Sequence, residues 1–215
     1  MNIKNASFPL LIGAAGIVAG LALACYRVSE TPEGLKLAVA GILALYLIWI
    51  LSEFRITAGE AKKDTGADQG TCEAYALARL LTVATAMIFG GMWAAPGLWL
   101  PLGLALFIGG IVLRALAIRT LGRSYSHRVR TPEANDIISD GPYRFLRHPA
   151  YSGMLLAHVG VVVLFFSWPL VVVFTAVFIP VLVRRILLEE RYLVQILPRY
   201  EQFAASRARL VPGIW

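Results

Sequence analysis

Long apolar runs with few charged residues alternate with polar segments along this chain of 215 residues. Four runs cover 8–26, 35–51, 75–95 and 98–118, and a longer apolar stretch covers 151–183. A helix that crosses a bilayer needs about 20 consecutive, mainly apolar residues. The pattern therefore predicts an all-α polytopic membrane protein.

The last apolar stretch is interrupted by Ser167, Trp168 and Pro169. Proline lacks a backbone donor and disfavours helix at the residue before it. We therefore expect two short helices in a hairpin, with Trp168 at the far membrane interface, which gives about six transmembrane helices. The alternative is one long, kinked and tilted helix, which gives five.

Composition supports a membrane protein, because 58% of the residues are hydrophobic and only 15% are charged. Soluble domains carry about 25% charged residues. The net charge of +7 comes from Lys and Arg that concentrate in 52–71, 119–152 and 184–199. Placing these segments inside puts both termini in the cytoplasm. No nucleic-acid partner is expected, and two isolated cysteines indicate neither a zinc site nor a disulfide framework.

A first polar cluster lies in the segment that precedes the hairpin. Residues 141–142 are Gly-Pro, which marks a turn, and Pro149 suits the first position of a helix. His148 would then lie at the helix entrance in a non-helical conformation. We expect Arg147, His148 and Tyr151 where the loop meets the membrane, beside free helix N–H groups that can face an anion.

A second polar cluster, Arg185, Glu189 and Glu190, directly follows the hairpin. Arg185 and Glu189 are four residues apart and share a helix face. A snorkelling cationic belt followed by an ordinary amphipathic helix is the simpler interpretation of this spacing alone. A hairpin, however, brings its two ends together, which predicts that both polar clusters form one site.

The two clusters together resemble a known family. The sequence Gly-Pro-Tyr-Arg-x-x-Arg-His-Pro-x-Tyr-x-Gly at 141–153 precedes the hairpin, and Arg-x-x-x-Glu-Glu at 185–190 follows it. This order resembles the isoprenylcysteine carboxyl methyltransferase family and its phospholipid methyltransferase relatives. The resemblance covers about Gly122 to Pro212, whereas the first three helices contribute little.

The resemblance implies S-adenosyl-L-methionine as the methyl donor and a lipophilic acceptor, an isoprenylcysteine-like carboxylate or a lipid, that arrives from the bilayer. It divides the chain into N-terminal transmembrane helices at 1–118 and a catalytic region at 119–215. It assigns catalytic roles to Arg185 and Glu189. The residues that it assigns to cofactor binding are Tyr143, Arg147, His148, Tyr151, Gly153, Glu190, His127 and Tyr200.

Two other functions remain open on the residues alone. One is an NADPH-dependent membrane sterol or isoprenoid reductase, and the other is a non-enzymatic membrane scaffold or small transporter. The double glutamate at 189–190 and the short chain favour the methyltransferase. A compact chain of this kind fits a bacterial inner membrane, with the active site on the cytoplasmic side.

The remaining polar residues in the apolar runs receive structural interpretations. Arg114 is one turn from the end of its run, where a long side chain can snorkel to the interface. Glu53 and Arg55 follow the second run and are expected at the interface. His158, in the first half of the hairpin, is expected to pack or to hydrogen-bond within the helix bundle.

Overall fold

The protein folds into a bundle of helices. The computed structural model describes residues 18–60, 69–91, 97–122, 125 and 137–215, with the side chains of 54–60 left out. A 3-10 turn, Gly141–Arg144, lies between the fourth and fifth helices. The helices are α1 (Val18–Ser29), α2 (Glu33–Glu60), α3 (Thr71–Phe89), α4 (Trp99–Leu121), α5 (Pro149–Leu164), α6 (Trp168–Ile196) and α7 (Tyr200–Ala205).

Four of these helices are long and apolar enough to cross a membrane: α2 over Glu33–Glu53, α3, α4 and α6. Helices α1 and α5 are shorter apolar helices. The predicted helical membrane architecture is therefore confirmed, while the count of six spans stays a prediction. The start of the first run, at 8–17, lies outside the described residues.

The stretch at 151–183 forms a hairpin, so the single kinked helix is wrong. Helix α5 ends at Leu164, and α6 begins at Trp168 after a short break. Ser167 caps the new helix by accepting a hydrogen bond from the Leu170 amide at 3.4 Å. The helices pack side by side, since His158 of α5 stacks on Phe178 of α6 with 4.6 Å between ring centroids. The packing role expected for His158 is thereby confirmed.

Helices α4 and α5 approach each other closely enough for their backbones to touch. A Cβ atom added at Gly160 would lie 2.5 Å from the Phe107 backbone nitrogen. One added at Gly153 would lie 2.6 Å from the Gly110 oxygen. Small residues permit this kind of contact between membrane helices. The glycines therefore fix where α5 begins relative to α4.

We expect Gly160→Ala to lower the thermal unfolding midpoint in detergent, because the new methyl group meets backbone that cannot rotate away. Overpacking of this kind costs about 1–3 kcal/mol. Gly41→Ala in α2 is the matched control, since nothing lies within 4 Å of its added Cβ. The control should keep or raise the midpoint because alanine favours helix over glycine. Equal midpoints for both variants would contradict the close contact.

Two charged residues, Glu53 and Arg114, are buried inside the bundle, and Arg79 beside them is partly buried. The carboxylate of Glu53 on α2 accepts hydrogen bonds from Arg114 Nε of α4 and, at 2.9 Å, from Arg79 Nη1 of α3. Trp49 Nε1 donates to the same carboxylate at 3.0 Å. Arg114 therefore pairs inside the bundle and its predicted snorkelling is wrong, while the interfacial position of Glu53 stays a prediction. Arg114 is only 2% exposed because Glu53 compensates its charge within the bundle. The Arg55 side chain lies outside the described residues.

Candidate active site

A buried carboxylate holds together one end of the bundle. Glu190, in the last turns of α6, accepts from Arg147 Nη1 at 3.1 Å and from Arg209 Nε at 2.8 Å. His148 Nε2 lies 3.3 Å from the same carboxylate. Hydrogen bonds between ionised groups are stronger than neutral ones. Glu190 therefore joins α6 to the start of α5 and to the C-terminal segment.

A second polar chain runs beside Glu190. The Tyr151 hydroxyl donates to Glu189 Oε2 at 2.7 Å and accepts from Arg185 Nε at 2.8 Å. Arg185 Nη1 also donates to Thr71 Oγ1 at 3.0 Å, which ties α6 to the first turn of α3. Arg185 is 1% exposed, so the interpretation as a snorkelling belt is wrong for this residue. Its guanidinium is buried among the Tyr151 and Thr71 hydroxyls and beside the ring of Tyr75, 5.8 Å from the ring centroid.

The predicted meeting of the two polar clusters is confirmed. His148 precedes α5 with a non-helical φ of −126°, and Pro149 occupies the first position of the helix. The last turns of α6 run antiparallel to this start and supply Arg185, Glu189 and Glu190. The hairpin thus places the first turn of α5 beside the last turns of α6, as the two sequence motifs predict.

Two buried tyrosines border the carboxylates from the side of α7. Tyr143 and Tyr200 pack together with Leu197, Phe203 and Ala150 in a small apolar cluster. Burial raises the pKa of both phenols, the charge of Glu189 raises it further in both, and the charge of Glu190 adds to this for Tyr200. Both side chains are therefore neutral near pH 7. The Tyr200 hydroxyl has no hydrogen-bond partner among the described residues, so it is free to donate to a ligand.

The C-terminal segment after α7 contacts this site, and although the resemblance placed it in the catalytic region, sequence reasoning did not predict these contacts. The Arg147 amide donates to the Ala208 carbonyl at 2.8 Å, and the His148 amide donates to the Arg209 carbonyl at 3.1 Å. These bonds lay the tail alongside the residues that precede α5 and bring the Arg209 side chain to Glu190. The only sequence signal was the basic pattern at 207–209, which resembles an ordinary polar terminus.

Comparison with known proteins identifies the family of this chain. The sequence profile of the isoprenylcysteine carboxyl methyltransferase (ICMT) family matches residues 102–195. Protein-S-isoprenylcysteine O-methyltransferase B of Arabidopsis thaliana is 36% identical over 150 residues, covering 65% of this chain and 73% of that protein. The A form of the same plant is 34% identical over 151 residues, covering 65% and 74%. The chain belongs to the isoprenylcysteine carboxyl methyltransferase family.

The fold agrees with this family. A solved eukaryotic intramembrane Ras methyltransferase ICMT superposes with a TM-score of 0.58 at 21% identity, over 94% of this chain and 76% of that chain. The protein is accordingly an integral membrane methyltransferase of the ICMT family. The resemblance drawn from residues 141–153 and 185–190 is confirmed. The relatives described here are eukaryotic, and the bacterial membrane expected from the sequence stays a prediction.

Gly153, which the resemblance assigned to cofactor binding, packs against α4 beside the candidate site. Gly153 faces the backbone of α4, where an added Cβ would lie 2.6 Å from the Arg114 nitrogen. Close helix packing thus explains the need for glycine there. His127 lies outside the described residues. The other predicted residues are at the end of the bundle where α5 begins and α6 ends.

Proposed function

We propose that this protein transfers a methyl group from S-adenosyl-L-methionine to the carboxylate of an S-isoprenylated cysteine that arrives from the bilayer. The observation that carries the proposal is the pairing of Glu190 with Arg147, His148 and Arg209, directly beside the chain of Arg185, Tyr151 and Glu189. This site terminates an apolar hairpin, where a polar cofactor and a lipid-borne acceptor can meet. The basic segments at the same end favour the cytoplasmic side.

The side chains fit the polar groups of the donor. S-adenosyl-L-methionine carries a carboxylate, an amino group and ribose hydroxyls, and it supplies an electrophilic methyl group when bound. Arginine suits a carboxylate, and glutamate accepts from hydroxyl or amino groups. The Tyr200 hydroxyl is buried near Glu189 and Glu190 and has no hydrogen-bond partner among the described residues, so a bound cofactor could accept its hydrogen bond. The residues that would hold the cofactor are Tyr143, Arg147, His148, Tyr151, Glu190 and Tyr200.

A carboxylate acceptor suits the chemistry of the remaining residues. A carboxylate is ionised near pH 7, so its oxygen is a nucleophile without help from a base. Glu189 already accepts a hydrogen bond from Tyr151 and need not remove a proton. Arg185 is the cation that would orient the acceptor, and positioning with exclusion of water supplies the rate enhancement. The plant relatives are named as isoprenylcysteine O-methyltransferases, which supports the same acceptor.

Binding and transfer assays test the proposal on protein in lipid nanodiscs. Calorimetry should detect binding of S-adenosyl-L-methionine and no binding of NADPH. The His148→Ala substitution should weaken the binding of S-adenosyl-L-methionine at least tenfold. Labelled methyl groups should then appear on S-farnesylcysteine with a blocked amine. The methyl ester of that compound is the matched control, because it lacks only the free carboxylate. If only membrane phospholipids carry the label, the proposed isoprenylcysteine acceptor is wrong. If NADPH binds, the proposed cofactor is wrong.

A further inference from the structure

The buried Arg114 of α4 contacts three other parts of the chain at once. Its Nε donates to Glu53 of α2, and its Nη1 donates to the Ala150 carbonyl of α5 at 3.1 Å. Its Nη2 donates to the Tyr125 hydroxyl at 3.0 Å, in the segment that follows α4. A planar guanidinium can serve three acceptors in fixed directions, whereas a lysine ammonium cannot reproduce that fork.

The contact with Ala150 connects Arg114 to the candidate active site. Ala150 lies in the first turn of α5, between His148, which meets Glu190, and Tyr151, which meets Glu189. A shift of this turn would therefore move both groups together. The contact with Tyr125 acts at the same end, because Tyr125 packs against the apolar cluster that contains Tyr143 and Tyr200.

Arg79 provides an internal comparison, since it shares the Glu53 carboxylate with Arg114. Its Nη1 donates to Glu53 at 2.9 Å, and its guanidinium lies over the rings of Trp49 and Tyr75, 5.5 and 5.7 Å from their centroids. These partners belong to α2 and α3. The two arginines thus have the same counter-ion, but only Arg114 reaches the start of α5 and the segment of Tyr125.

We propose that Arg114 is a positioning residue for the cofactor site, and that Glu53 holds its guanidinium in place. Arg114 acts through Ala150 and Tyr125 and touches no reacting group itself. The inference rests on the proposed function, because it takes the groups around Glu190 as the cofactor site. Misplacement of a catalytic constellation by about 1 Å can cost about 100-fold in rate. The effect of losing Arg114 should therefore appear in cofactor affinity as well as in stability.

The test compares Arg114→Lys, Arg79→Lys and Tyr125→Phe in nanodiscs, each measured for unfolding midpoint, S-adenosyl-L-methionine Kd, and KM and kcat for both substrates. Both lysine variants should lower the midpoint, since both disturb the Glu53 ion pair. Arg114→Lys should raise the cofactor Kd and KM about tenfold, and Tyr125→Phe should raise them about threefold, as expected for one lost hydrogen bond. Arg79→Lys should leave them within twofold of the wild type.

Each outcome decides between positioning and a purely structural role. Equal cofactor affinity in Arg114→Lys and Arg79→Lys would overturn the inference and leave the proposed function intact. If Arg114→Lys does not fold, Tyr125→Phe decides, because it removes only a hydroxyl, and a wild-type Kd in that variant overturns the inference. Failure of the wild-type protein to bind S-adenosyl-L-methionine would overturn the proposed function, and the inference with it.

Discussion

Replacing Glu190 by glutamine should reduce affinity for S-adenosyl-L-methionine at least 100-fold and abolish methyl transfer. The carboxylate accepts from two arginines and lies beside His148, and a neutral amide removes the charge that all three share. A hydrogen bond to a charged group contributes about 1.5–3 kcal/mol, and the substitution removes the charge from both arginine contacts, which is enough for a change of this size. The NH2 group of the glutamine amide would also face the arginine N–H groups, which are themselves hydrogen-bond donors. Calorimetry with the cofactor and an assay with labelled methyl groups measure the two effects.

Glu201→Gln is the matched control, because it makes the same chemical change on the exposed first turn of α7. It should bind the cofactor as the wild type does. The unfolding midpoint of Glu190→Gln must be recorded as well, since the same contacts join α5 and α6 to the C-terminal segment. A folded Glu190→Gln protein with a Kd within threefold of the wild type would remove Glu190 from the proposed cofactor site.

The hairpin and its polar ends were predictable because local chemistry determines them. Pro169 ends one apolar stretch and starts another, and Pro149 fixes the first residue of α5. Once the hairpin is given, its two ends must lie together. The motifs at 141–153 and 185–190 were therefore sufficient to predict which side chains meet. Helix boundaries were less accurate, because α6 continues as a helix beyond its apolar residues to Ile196.

The buried charges were not predictable, because their partners are distant in the chain. Arg114 and Glu53 are 61 residues apart, and each alone resembles a charge near the end of an apolar run. Hydropathy records where a charge falls in a run and carries no information about the helix that faces it. The pairing becomes visible only when α2, α3 and α4 are packed side by side.

The role of the C-terminal segment was hidden for a different reason. Its contacts with Arg147 and His148 are accepted by backbone carbonyls of the tail, which every residue type possesses. The Ser152 hydroxyl, which donates to the Leu210 carbonyl at 2.7 Å, adds to the same attachment. The tail has neither helical periodicity nor an apolar run, and its basic pattern at 207–209 does not show that it lies against the start of α5.

Replacing Glu53 by glutamine should be the most destabilising single change in the bundle. It leaves Arg79 and Arg114 without their shared counter-ion while both remain inside a layer of apolar helices. Removing one partner of a buried ion pair costs about 3–5 kcal/mol, mainly because the remaining charge is uncompensated. Solvent cannot replace the lost partner easily in a membrane environment. We expect a large fall in the unfolding midpoint in detergent.

Glu33→Gln on the same helix separates this effect from the general loss of a carboxylate. Glu33 pairs with Lys36 in the first turn of α2, and its side chain is 87% exposed. Exposed ion pairs contribute about 1 kcal/mol or less, so this midpoint should barely change. Arg79→Leu combined with Glu53→Gln should recover part of the stability, because one of the two uncompensated charges is then absent. A Glu53→Gln midpoint equal to that of Glu33→Gln would contradict the buried ion pair itself.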